Sequence, residues 1–161
     1  MSKGIHLALL LAGMDRPDLA IEDFWRTAQA AVAPGTPISC TAVHAVLPGA
    51  AGLAGSPGIE IVPLLVAGSG RIGLAVDSLA TKQGPVGVVG RLGKYNQSAH
   101  RVAHAMAKNK DLTRAFCAAD LIVSADPEAD WAIWNLRKKT AAPLIHGPFA
   151  MANALSELVP A

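Results

Sequence analysis

Short apolar runs, each stopped by turn residues and separated from the next by a helical pattern, constrain this chain most. The runs are Ile5–Leu11, Ser39–Leu47, Ile59–Val66, Val86–Val89, Leu121–Ser124 and Pro143–His146. Runs of this kind read as strands buried on both faces, which is the condition of a parallel sheet. Between them, Ile21, Phe24, Trp25, Ala28 and Val32 recur at helical spacing over Ile21–Val32. Gln97–Phe116 reads as a long helix with a break near Asn109, followed by helices over Pro127–Lys139 and Ala150–Leu158. Ile72–Val76 fits either an extra strand or a helix start. Alternating strands and helices imply crossover connections. The expected fold is therefore α/β, a three-layer Rossmann-like domain with a mostly parallel sheet of at least five strands, spanning residues 1–161 as one domain.

Composition fits that reading. The 161 residues suffice for one core, and 52% hydrophobic against 16% charged residues excludes a disordered chain. Aromatics make up only 4%, so the core must be aliphatic. A formal charge of +2 gives no footprint for nucleic acid. No run approaches the ~18–20 apolar residues of a membrane span. Ile5–Gly13 resembles a signal-peptide core after Lys3, but Asp15, Arg16 and Asp18 follow without a small-residue cleavage site, so a buried first strand is preferred. Cys40 and Cys117 form no disulfide framework, and a reduced, cytoplasmic protein is expected.

The stretch "GPVGVVGRLGKYNQSAH" carries glycines at Gly84, Gly87, Gly90 and Gly93, followed by a helical pattern. Read as strand Val86–Val89, loop Gly90–Gln97 and a helix beginning at Ser98, it is a context in which helix amides bind anions. Arg91 and Lys94 would add charge, and Asn96 and Ser98 would cap the helix. The spacing matches neither a Walker loop nor the dinucleotide fingerprint, and the first βα turn offers only Gly13. The alternative is structural: the glycines permit a close approach and a sharp turn. The loop Pro48–Gly58, rich in glycine and proline, follows a strand's carboxyl end, where open α/β sheets place binding crevices.

Among titratable groups, His146 ends a strand before a Gly-Pro turn and suits a general base or hydrogen-bond partner, or a half-buried structural role. Ser124 ends another strand and is a candidate ligand contact. His100 and His104 share metal-pair spacing, yet lie across from the stripe Ala99, Val102, Ala103 and Met106, so a polar face is expected and no metal is assigned. His6 and His44 lie within strands and read as structural. Asp126, Pro127, Glu128 and Asp130 form a good helix start by capping and dipole rules alone. In the same helix, Trp131 and Trp134, with Lys138, fall away from the stripe Ala129, Ala132, Ile133 and Leu136. They are candidate interface residues for a protein partner or a homo-oligomer.

The final third, "LTRAFCAADLIVSADPEADWAIWNLRKKTAAPLIHGPFAMANAL", runs helix, strand, turn, helix and a strand closing on Gly-Pro. It resembles the second half of the N-terminal, acceptor-side domain of glycosyltransferases built from two facing Rossmann-like domains. The resemblance implies a domain that acts with a second chain or domain and meets a nucleotide-sugar-related ligand. It carries over no catalytic residue and no cofactor. Two other functions fit the residues: a self-contained small-molecule or phosphate-binding α/β protein, and a non-catalytic interaction subunit.

Overall fold

The computed structural model describes residues 4–68 and 71–158. Five strands, β1 (Ile5–Leu11), β2 (Ile38–Val46), β3 (Ile59–Leu65), β4 (Leu121–Ser124) and β5 (Leu144–His146), form one all-parallel sheet in the order β3-β2-β1-β4-β5. The chain is thus a Rossmann-like α/β domain, as the apolar runs indicate. Its helices are α1 (Pro17–Ala31), α2 (Arg71–Ala80), α3 (Pro85–Lys108), α4 (Lys110–Cys117), α5 (Pro127–Trp134) and α6 (Gly147–Leu158).

The pleat sorts β1 between two cores. Ile5, Leu7, Leu9 and Leu11 pack with Ile21, Phe24 and Ala28 of α1 and Met151 and Leu155 of α6. Ala8 and Leu10 face the other way, toward Val102 and Met106 of α3, Phe116 of α4, and Ala129, Ala132 and Ile133 of α5. Period-two alternation in a central strand requires apolar cover on both sides, and helices supply it. At the amino end of β1, the His6 carbonyl accepts from Asp120 N–H while His6 N–H donates to the Asp120 carboxylate, and its ring meets the hydroxyls of Ser39 and Thr41. His44 is 3% exposed, and burial pushes its pKa down. Both histidines lie within strands, as their sequence context indicates.

The expectation that fails is the strand at Val86–Val89. That segment is the first turn and a half of α3, which runs unbroken from Pro85 to Lys108. Gly90–Gln97 is therefore not a loop, and Asn96 and Ser98 cap nothing, because they lie inside the helix. Val88 and Val89 are exposed, not buried as strand residues would be. Pro85 stands at the first helical position after Gly84, where its missing N–H costs nothing.

The glycines hold α3 against α2. A Cβ on Gly87 would lie 1.7 Å from the Lys82 carbonyl oxygen, and one on Gly90 would lie 2.4 Å from the Ala80 nitrogen. Gly93 meets only a Val76 methyl, at 3.2 Å. The glycines follow at every third residue, so they line the side of α3 that faces its partner. Close backbone contact replaces the helix propensity that each glycine forfeits, about 1 kcal/mol against alanine. The structural alternative for this stretch holds, but between two helices instead of a strand and a helix.

Smaller differences follow from local chemistry. Residues 72–76 belong to α2. α1 starts at Pro17 and ends at Ala31, and α6 starts at Gly147, where a φ of +80 suits only glycine. The expected break at Asn109 is present: its side chain accepts from Leu112 N–H and starts α4. α5 ends at Trp134, and residues 135–139 continue as tight turns with Leu136 N–H bonded to Ile133 O. Among the described residues no helix is long and apolar enough to cross a membrane.

Alanine at an ordinary helix glycine stabilises. At Gly90 the sign should reverse, because the methyl group cannot enter the Ala80 backbone without separating the two helices. Gly90→Ala should cost about 1–3 kcal/mol, the range for overpacking, and lower the melting temperature by roughly 2–10 °C. Gly93→Ala should be near neutral. Equal melting temperatures for the two variants in a thermal scan would refute the close-contact role.

Candidate functional site

In this strand order the chain winds outward from β1 in both directions, so the topological switch point lies between β1 and β4. Two short segments meet there, Ala12–Gly13 after β1 and Ala125–Asp126 after β4. Asp126 joins them. One carboxylate oxygen accepts from Ala12 N–H at 2.7 Å, and the other accepts from Ala129 N–H at 3.1 Å as the N-cap of α5. The residue is 6% exposed, and a buried carboxylate is tolerated where amides and a helix N-terminus receive it.

The first turn of α5 then aims two further carboxylates at its neighbours. Glu128 accepts from the Ser98 hydroxyl on α3 and lies against Gly13, where an added Cβ would come within 2.9 Å of its carboxyl carbon. Asp130 accepts from the Ser124 hydroxyl at the end of β4 and from His146 Nδ1, 2.7 Å away at the end of β5. Ser124 and His146 are register partners across β4 and β5, and Ser124 Oγ lies 3.1 Å from the same Nδ1.

This geometry fixes the imidazole. A carboxylate accepts only, so the nitrogen in contact with Asp130 carries a proton, and in the neutral ring the lone pair is on Nε2. The His146 side chain is half exposed. The trio is not a nucleophile triad, which needs serine at Nε2 and the acid at Nδ1. Here both partners crowd Nδ1, and Ser124 is 2% exposed. Ser124 and Asp130 are positioning residues, and Nε2 is the group available for proton acceptance or ligand contact.

His146 opens on a largely apolar cavity of about 370 Å³ lined also by Ser124, Asp130, Trp131, Ile133, Trp134 and Leu144. Trp131 and Trp134 are 46% and 53% exposed, while Ala129, Ala132, Ile133 and Leu136 are buried, so the stripe divides α5 as its sequence indicates. The Arg137 guanidinium lies 4.6 Å from the Trp134 ring centre, a cation–π contact that steadies the indole. Lys138 is exposed beyond it.

On the other side of Trp131 a second cavity, about 270 Å³, lies between α3 and α5. Tyr95, Asn96, His100, Asp130 and Trp131 line it. His100 meets the Trp131 ring edge-to-face at 5.6 Å. Tyr95 donates to Pro127 O at 2.7 Å, and partial burial, then Asp130, Glu128 and Asp126, push its pKa up.

The sequence candidates thus divide. Gly13, Ser98, Asn96, Ser124 and His146 converge around α5. Gly90, Arg91 and Lys94 do not, since they sit in the α2–α3 hairpin, where Lys94 pairs with Asp77 at 3.3 Å. The anion site imagined at Arg91, Lys94 and the Ser98 amide has no structural basis, because that amide lies within a continuous helix rather than at its N-terminus. His104 is exposed on the outer face. The residues that sequence reasoning passed over are Asp130, Glu128 and Tyr95. Their signal was spacing from Asp126 and from Ser98, visible only once α5 is set beside α3 and β5.

Asp126→Ala leaves the Ala12 amide without its partner and the Ala129 amide with only the backbone carbonyl of residue 126, and should cost about 2–4 kcal/mol, a lost cap plus a buried charged bond. Asp126→Asn, which keeps one acceptor, should cost clearly less. Urea midpoints for the two variants measure the difference, and equal midpoints would sink the bridging role. No protein-family model matches the sequence, and none of the curated proteins matches it.

Proposed function

We propose that this chain is a small-molecule-binding Rossmann-like domain whose ligand enters the cavity between His146 and the two tryptophans. The observation that carries the reading is the imidazole held by Asp130 with Nε2 left free at the carboxyl end of the sheet. An acceptor at that place, beside apolar indole walls, suits a ligand with a hydroxyl or other donor on a ring-like apolar frame. With a leaving group supplied by a second domain or chain, the same Nε2 would take the hydroxyl proton. That is the acceptor-side role suggested by the last third of the chain. The test is an NMR titration of the indole N–H signals with monosaccharides and simple phenols. Trp131 and Trp134 should shift and Trp25 should not. His146→Ala and Trp134→Ala should each weaken binding by about tenfold or more. Shifts confined to Trp25, or affinities unchanged in both variants, would overturn it.

A second reading, as an interaction subunit, draws on exposed apolar groups. Besides the tryptophans, Val89 is 68% exposed, Leu92 64% and Phe149 86%. Such surface marks contacts with a partner or a second copy. Replacing Trp131 and Trp134 together by serine should then lower the sedimentation coefficient while the circular dichroism stays native. An unchanged sedimentation coefficient in a folded double variant rejects the tryptophans as the interface.

A further inference from the structure

We infer that the second cavity, between Tyr95 and Trp131, is a binding site for a small organic cation, an amine or a quaternary ammonium. Three ring side chains, Tyr95, Trp131 and His100, and one carboxylate, Asp130, line it, together with the neutral amide of Asn96. Only Oδ1 of Asp130 is hydrogen-bonded among the described residues, so Oδ2 remains to face a charge. Tyr95 is anchored through its hydroxyl to Pro127 O, which fixes the ring at the cleft wall without using the π face. His100 packs against the Trp131 ring in a T-shaped contact and steadies it. Aromatic walls attract cations through their quadrupole, and a nearby carboxylate adds to that.

The carboxylates dominate the surrounding charge, and His100 is the base that faces them. Asp126 caps α5, Glu128 and Asp130 lie in its first turn, and after partial burial all three raise the Tyr95 pKa. Among the described residues no lysine or arginine lines the cleft, and the nearest lysine in sequence, Lys94, is turned to Asp77. A phosphate or carboxylate ligand would meet repulsion here, whereas a monocation of four to seven heavy atoms would fit the volume. This site shares Asp130 and Trp131 with the cavity proposed above but does not require His146.

The experiment compares choline with 3,3-dimethylbutan-1-ol, which has the same shape and no charge. The ring signals of Tyr95, which lines this cavity and not the first, report binding to the full chain, with the Trp131 indole as the reporter where Tyr95 is replaced. Choline should bind at least about tenfold more tightly than the alcohol. Asn96 is exposed on α3, so charge can be placed at the rim with the fold intact. Asn96→Lys should weaken choline binding strongly and Asn96→Asp should tighten it, each by several-fold more than it changes alcohol binding. Tyr95→Leu should remove the preference for the cation. His146→Ala should leave choline binding in place, which separates this site from the one proposed for a hydroxylated ligand. Equal affinities for choline and the alcohol, or equal choline affinities in Asn96→Lys and Asn96→Asp, would overturn the inference.

Discussion

The carboxylate of Asp126 is the contact on which the rest of the site depends. It is buried between the end of the first strand and the first turn of α5, and it satisfies one amide from each. A buried, unpaired carboxylate would be costly, but two N–H donors and a helix N-terminus offset its desolvation. The bond sets where α5 begins and how it is turned. From that origin, Glu128 falls two residues on and faces α3, and Asp130 falls four residues on and faces β5. Trp131 follows directly and becomes the wall between two cavities.

The same contact also sets the charge around this turn. In open α/β sheets the turn after the first strand often presents free amides to phosphate. Here the Ala12 amide is already taken by Asp126, and the space above Gly13 is filled by Glu128. A phosphate at this turn would have to displace one carboxylate and lie beside another. The structure uses the protein's own acids where other domains of this architecture hold an anion. What remains open around α5 is an imidazole acceptor on one side and an aromatic cleft with a spare carboxylate oxygen on the other.

The sheet was legible because burial on both faces leaves a strong mark. Ile5–Leu11 and Leu121–Ser124 are apolar at nearly every position, and no amphipathic helix reads that way. The failure at Val86–Val89 has the same root. Valines between glycines satisfy the local rule for a buried strand, and only the partner helix explains why the glycines are there. Local propensity cannot register a backbone contact with Lys82 and Ala80. The site was half legible for a related reason. Ser124 and His146 stand at strand ends, and strand ends are visible in sequence. Asp130 and Glu128 looked fully explained by capping and the helix dipole, and nothing local indicated that each would also reach a different element. Tyr95 was assigned to a loop that does not exist, so its place against Pro127 could not be anticipated.

Asp130 ties the two cavities together. Through Oδ1 it holds the proton of His146 on Nδ1, and its charge is felt by Tyr95 across the cleft. A cation seated between Tyr95 and Trp131 would draw on that same carboxylate, so the two proposed sites share one wall, Trp131, and one charge, Asp130. Loss of His146 would remove the acceptor on one side of Trp131 and leave Asp130 and the aromatic cleft on the other side in place.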